Sequence, residues 1–274
     1  MTKNPAVSMV RRCAAASSAL LLLALAGPAM ADQVEDERWE LLRSTYFADR
    51  AIEDSGDLLV LDAPKRAQDA ALVPLKVTLA PGLKAKKLSL IVDDNPVPLA
   101  AAIDLGQGSA SGTIETRVRV DDYTNVRAVA ETEDGRLLMS TRYVKASGGC
   151  SAPALKDPAQ AMARLGKMKL TLPERIQAGA PVTAQVMISH PNNSGLQFDQ
   201  ITRFFIPPHY VRSVNVTFNG KPVLDITTDI SISEDPNFRF SFVPDGEGTL
   251  VVRAVDTKDK VFTESWPVKV EPAS

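Results

Sequence analysis

The chain has 274 residues, with 31 lysines and arginines against 33 aspartates and glutamates. That balance, with no basic run and no interleaved aromatic stripe, excludes the electrostatic footprint of a nucleic-acid-binding protein. The length suits two domains of ordinary size, and with only Cys13 and Cys150 there is no disulfide framework to hold them.

Residues 1–31 have the layout of a secretory signal. Lys3, Arg11 and Arg12 give the positive start, Ala14 to Ala26 the apolar stretch, and Ala29-Met30-Ala31 a small-x-small cleavage site. The apolar stretch is short for a bilayer span and Gly27-Pro28 interrupts it. Cys13 precedes that stretch, so it is not placed as a lipid-anchor cysteine. Arg11-Arg12 leaves both ordinary and twin-arginine export open. The expected product starts near Asp32 and is exported, and no later apolar run is long enough for a membrane helix.

Residues 35–50 are expected to form one short helix, with Trp39, Leu42 and Tyr46 along one stripe. From there short runs rich in Val, Ile, Leu and Thr alternate with Pro, Gly, Asp and Asn. Expected strands in the first half are Leu58–Leu61, Val73–Leu79, Lys87–Val92, Gly112–Val120, Asn125–Glu131 and Leu137–Val144. The second half gives Met168–Leu172, Val182–Ser189, Val211–Phe218, Val223–Thr228, Phe238–Val243, Gly248–Asp256 and Val261–Val270. Strands at this spacing without helical crossovers predict an all-β protein built of antiparallel sandwiches. Asn219-Gly220 between two apolar runs predicts a type I′ hairpin turn. Arg127-Ala-Val129 and Arg253-Ala-Val255 lie 126 positions apart, as do Pro96-Val97 and Pro222-Val223, which points to two similar sandwiches in tandem. The expected division is a signal at 1–31, one sandwich at 32–147, a cysteine-bearing linker with a short helix at 148–167, and a second sandwich at 168–274. Asp157-Pro158 through Gly166 supplies the N-cap, first-turn proline and terminal glycine of that helix.

After the signal Cys150 is the one cysteine, in the strip Lys145-Ala-Ser-Gly-Gly-Cys150-Ser-Ala-Pro153. Gly148 and Gly149 before it and Ser-Ala-Pro after it predict a flexible, exposed strip. An accessible, ionised thiol can hold a group covalently by attacking an electrophilic sulfur or carbon. Lys145 and Lys156 are candidates for favouring the thiolate, or are simply solvated. The plain alternative is an inert surface cysteine in a linker.

Leu58-Leu-Val-Leu-Asp-Ala-Pro-Lys-Arg-Ala67, Val73-Pro-Leu-Lys-Val77 and the Gly-Gly-Cys segment together resemble the SoxY subunit of the sulfur-oxidising Sox carrier. Ile188-Ser-His-Pro191, Ile206-Pro-Pro-His-Tyr210, Val216 to Leu224 and Asp235-Pro-Asn-Phe238 resemble SoxZ. The resemblance covers nearly all of residues 35–270, in the order SoxY then SoxZ, as in a single-chain SoxYZ-like carrier of the type associated with quinoprotein dehydrogenases. It implies two immunoglobulin-like sandwiches and a periplasmic carrier that is not itself an enzyme. It also implies that Cys150 bears a sulfur intermediate on an arm made flexible by Gly148 and Gly149, with no cofactor. The implied partners are periplasmic redox enzymes or c-type cytochromes of a Sox-like or quinoprotein dehydrogenase system. One departure is that Ser151-Ala152-Pro153 stands where the family has a trailing Gly-Gly, so the arm is a loop tied at both ends rather than a tail. The rival reading is a thiol-independent adaptor for the same kind of partner.

His190 and His209 are the only histidines. Without a convincing carboxylate spacing they make a poor metal pair, and structural turn roles are expected, with no metal site. Asp93-Asp94 and Asp121-Asp122 are expected to serve turns through local hydrogen bonds. Phe204-Phe205 is either an exposed contact patch or packing beneath the loop 192–208.

Overall fold

The computed structural model describes residues 27–153 and 158–271. Residues 1–26 of the expected signal lie outside the described residues, and Gly27 to Ala31 belong to helix α1 (Gly27–Phe47). That helix starts before the expected one at residue 35, because Pro28 is tolerated in a first turn. It stops at Ala48 and Asp49, both at positive φ (50° and 59°). Among the described residues no helix is long and apolar enough to cross a membrane.

The body from Asp49 onward is a unit of its own. Its first half carries β1 (Ile52–Asp54), β2 (Leu59–Asp62), β3 (Val73–Leu79), β4 (Ala85–Val92), β5 (Leu99–Leu105), β6 (Thr113–Val118), β7 (Thr124–Thr132) and β8 (Leu137–Val144). A short helix α2 (Pro158–Ala163) follows. The second half carries β9 (Met168–Thr171), β10 (Val182–Ile188), β11 (Val211–Phe218), β12 (Lys221–Thr228), β13 (Asn237–Phe242), β14 (Gly248–Asp256) and β15 (Val261–Val268). The fold class is as the sequence indicates: all-β, with immunoglobulin-like sandwiches and few helices.

Period-two alternation builds the core. On β3, Val73, Leu75, Val77 and Leu79 point inward while Pro74 and Lys76 face out. Val182, Ala184, Val186 and Ile188 do the same on β10, and Phe238, Phe240 and Phe242 on β13. Each such large side chain contributes about 1.5–3 kcal/mol on burial. Between β11 and β12 the turn forms as expected, with Asn219 at φ 49° and Gly220 at φ 77°.

The two halves do not stand apart. One sheet runs β1-β8-β7-β4-β5-β12-β11-β14-β15 and the other β2-β3-β6-β13-β10-β9. Both sheets cross the midpoint, through β5–β12 (Leu105↔Leu224 to Ala101↔Thr228) and through Glu115↔Arg239 on β6–β13. One apolar cluster therefore extends from Leu59 to Val268. Outward from the midpoint the strand order is β5-β4-β7-β8 on one side and β12-β11-β14-β15 on the other. The repeat seen at an offset of 126 is thus laid out as two back-to-back copies.

Candidate functional site: the Cys150 arm

The arm leaves β8 and turns back beneath the second half. Gly148 (φ 74°) opens a tight turn that ends near Ser151, whose Oγ donates to the Gly148 carbonyl at 3.3 Å. Ser147 and Ser151 face solvent, and Cys150 between them points inward and is fully buried. The expectation of a mobile, exposed strip is corrected here. Gly148 is needed for left-handed backbone. Gly149 is needed for close approach: a Cβ there would sit 2.1 Å from the Ala70 carbonyl oxygen and 2.5 Å from that of Val120. Neither glycine acts as a swivel in this structure.

The segment Arg119–Asp121, which joins β6 to β7, forms the floor. Gly148 N donates to the Asp121 carbonyl at 2.7 Å and Gly149 N to the Val120 carbonyl at 3.0 Å. Cys150 N donates to Asp121 Oδ1 at 3.1 Å. Buried Asn95 braces this floor by donating to the Arg119 carbonyl and accepting from Asp121 N. Arg119, 1 % exposed, donates through Nη1 to the Gly149 carbonyl and through Nη2 to the Asn192 carbonyl.

The roof comes from the second half. Ser194 Oγ donates to the Cys150 carbonyl at 2.5 Å, and Gln197 Nε2 to the Ala152 carbonyl at 3.0 Å. Gln197 Oε1 in turn accepts from Ser194 N. These two residues open the loop whose outer part bears Phe198, Ile201, Phe204 and Phe205, all exposed. The Phe204-Phe205 pair is thus surface, with Phe205 edge-on to Phe198 at 5.7 Å.

Burial pushes the Cys150 thiol up to about 12, with the Asp121 carboxylate adding to the rise and the Arg119 guanidinium opposing it. Burial likewise lowers Arg119 from its ordinary value, against the pull of nearby Cys150, Glu234 and Asp69. A docked thiol is therefore protonated and out of reach of solvent. Lys145 is exposed and Lys156 lies outside the described residues, so the cation beside this thiol is Arg119.

His190 and His209 are brought together, which their spacing did not foretell. Their rings meet edge-on at 4.6 Å, and both turn Nε2 toward Asp256 Oδ2, at 3.6 Å and 2.8 Å. The three groups have the makings of a metal site, but the hydrogen bond to His190 argues otherwise, although the buried Nε2 of that ring makes none of its own at 3.6 Å from Asp256. Asn192 N donates to His190 Nδ1, so the lone pair of a neutral ring is engaged there. Its Nε2 then carries the proton and is aimed at the carboxylate, not at a metal. Burial and the neighbouring His209 lower His190 to about 4, which keeps the ring neutral. Asp256 stays below its usual range although burial works against it. His209 and the backbone N–H groups of Lys260 and Lys258 hold its charge. The cluster anchors the base of the loop that roofs the arm.

Asp93 is also more than a turn residue, since it forms a buried ion pair with Arg127 at 2.8 Å. A cleft of about 460 Å³ beside Pro74, Lys76, Arg117 and Asn237 includes none of the arm residues. Asp121, Arg119, Ser194 and Gln197 were not singled out from sequence as site residues. Their types are common in turns, and only the fold places them against one segment.

Residues 43–150 match the family described as sulfur oxidation protein SoxY, and residues 168–267 match sulphur oxidation protein SoxZ. The first match ends on Cys150 itself. The chain is a fused SoxYZ-like protein. No curated protein sequence matches it. Among solved structures, the sulfur carrier protein SoxY from Chlorobium limicola f thiosulfatophilum is 20% identical, with a TM-score of 0.36, over 43% of this chain and 99% of that one. A superoxide reductase (neelaredoxin) from Ignicoccus hospitalis is 16% identical, with a TM-score of 0.30, over 42% and 89%. Similarity at this level is too low to transfer a site or an activity. The SoxYZ-like assignment rests on the two family matches and their order.

Proposed function

We propose that this SoxYZ-like protein is a carrier, not an enzyme, that holds a sulfur-containing group on Cys150 in the periplasm and presents it to redox partners. The observation that carries the reading is where the SoxY match stops: at a Gly-Gly-Cys end, with the SoxZ match beginning after a short connection. The resting arm is docked, so loading requires it to lift. Six hydrogen bonds hold residues 148–152. At about 1 kcal/mol each, plus burial of one thiol, they are set against about 1 kcal/mol per residue for ordering the arm. The net preference for docking is then only a few kcal/mol. A partner that binds the lifted arm supplies that much readily.

In the lifted state the thiol loses its proton to water and the thiolate attacks a divalent sulfur of the donor. With tetrathionate the new bond joins Cys150 Sγ to an inner sulfur, leaving a thiosulfonate adduct, and thiosulfate departs with the electron pair of the broken S–S bond. No further oxidant is needed. Incubation of the exported protein with tetrathionate is expected to add that group at Cys150 by intact-mass analysis, with none on Cys150→Ser. An unmodified, folded protein whose arm has been released would sink the reading.

The buried thiol and the exposed loop tip favour a second reading. In it the fused sandwiches act as an adaptor, with Phe204 and Phe205 meeting a quinoprotein dehydrogenase or c-type cytochrome. Cys150→Ser then keeps partner binding, and changes at the tip abolish it.

A further inference from the structure

We infer that Ser194 and Gln197 form a clasp that decides whether Cys150 meets solvent. The clasp belongs to one half of the fold and the thiol to the other, so the second half gates the first. Both side chains are buried, and each engages the arm at a backbone carbonyl rather than at a side chain. The grip is therefore independent of which residues the arm carries at 150 and 152. Gln197 spends its two ends differently, one on Ser194 N and one on the arm, so its amide ties loop and arm through a single plane. Ser194 Oγ also accepts from Leu196 N, which fixes the hydroxyl so that its proton points at the Cys150 carbonyl.

The floor contrasts with this. Its contacts come from the backbone of the β6–β7 connection and from Asp121 and Arg119, within the half that bears the thiol. Moving the loop by an ångström or two breaks both roof bonds and the Arg119 bridge to the Asn192 carbonyl, while the floor stays intact. The Cys150 and Ala152 carbonyls then turn to water, and the arm is held by its floor bonds alone, so less is needed to lift it. Ser194 and Gln197 are positioning residues in this scheme; neither touches the carried group. The clasp rests on the carrier reading for its purpose alone, since gating of the thiol is measurable without any donor.

The test is the rate at which full-length exported protein reacts with dithionitrobenzoate, followed by thionitrobenzoate release, in wild type, Ser194→Ala, Gln197→Ala and the double variant. Each single variant should speed labelling about threefold to tenfold, and the double variant at least as much as the faster single one, since the two side chains share one network. The rates should not depend on low concentrations of urea, because the opening is local. Gln197→Glu, which keeps the size but faces the Ala152 carbonyl with a carboxylate, should also release the arm and covers the case in which an alanine variant folds poorly. Labelling at the wild-type rate in folded variants overturns the clasp, as does a gain that tracks global unfolding. If the variants label rapidly yet take no adduct from tetrathionate, the clasp stands and the carrier reading falls.

Discussion

Gly149 lies so close to Ala70 that a single methyl group at position 149 would have to share space with the Ala70 carbonyl oxygen, 2.1 Å away. The Gly-Gly pair before the cysteine is therefore a docking surface at one residue and a turn at the other. Gly149→Ala should expel the arm while leaving the sandwich folded, since the clash is with the rigid backbone of Ala70 and Val120 and the arm is the part that can yield. We expect thiol labelling at least ten times faster than wild type, with circular dichroism unchanged. A labelling rate equal to wild type would mean that the docked geometry around Gly149 is not the resting state.

The raised Cys150 value fixes how labelling should depend on pH. If the docked thiol reacted, the rate would climb with pH to about 12. If the lifted arm reacts, its thiol has an ordinary value near ~8.5, and since only the lifted form ionises there its population keeps growing above that pH. A docking preference of a few kcal/mol, at about 1.4 kcal/mol per pH unit, places the plateau near pH ~10, still short of the docked value of about 12. The second profile is expected. The same shift has a stability consequence of definite sign. The folded value lies above the unfolded one, so the contribution is full below about pH 8.5 and is lost as pH rises toward 12. Urea midpoints of wild type and Cys150→Ala should therefore converge on the alkaline side, with the variant showing the flatter curve.

Much of the fold was legible because strands that face one core write their burial in alternate residues, as Val73 to Leu79 does. The strand that matters most for architecture was not. β5 (Leu99–Leu105) contains Ala100, Ala101 and Ala102 in a row, and alanine has neither the branching nor the bulk that marks a strand. Yet Ala101 and Ala102 face Thr228 and Thr227 across the seam where the halves join. With β5 unseen, the sequence spoke of two sandwiches and not of sheets shared between them.

The site was legible in part for a related reason. Cys150 stands out as a lone residue type, and so it was found. Its burial depends on Asp121 and Ser194, which bond to it over 29 and 44 positions of sequence, and on Gln197, which bonds to Ala152 over 45. Glycine is also ambiguous in a one-letter string. A Gly-Gly pair signals freedom in a linker and contact in a packed turn, and only the neighbouring carbonyls tell which. The echoed arginines show the same limit, since Arg127 is buried against Asp93 while Arg253 is exposed.

That buried pair gives a stability prediction. Arg127→Leu leaves the Asp93 carboxylate enclosed without its strongest partner, a change that costs about 3–5 kcal/mol. For a body of this size the unfolding midpoint should drop by roughly 10 °C. The double change Arg127→Leu with Asp93→Leu should recover much of the loss, because it removes both charges together. A single variant as stable as wild type, by calorimetry, would show that water reaches Asp93.

His190 predicts an acid limb of the opposite sign to that of the thiol. Its folded value, about 4, lies below the ordinary ~6.5. Above pH 6.5 the ring is neutral in both the folded and the unfolded chain, and the protein has its full stability. Between 6.5 and 4 the unfolded chain binds a proton that the folded one refuses, because charging the ring would place a cation in a sealed site beside His209. Stability should fall across that window by roughly 3 kcal/mol and then cease to fall on this residue's account. His190→Asn removes this titrating group, so its urea-derived stability should slope less than wild type from pH 6.5 to 4, by roughly that amount, whatever the offset between the two at neutral pH. A slope in the variant equal to that of wild type would assign the acid loss elsewhere and would mean that the ring is charged in the folded protein. Asp256, held below its usual range, extends the decline only at still lower pH. Because this cluster anchors the loop that bears Ser194 and Gln197, labelling divided by the falling thiolate fraction should quicken over the same window, in wild type but not in the variant.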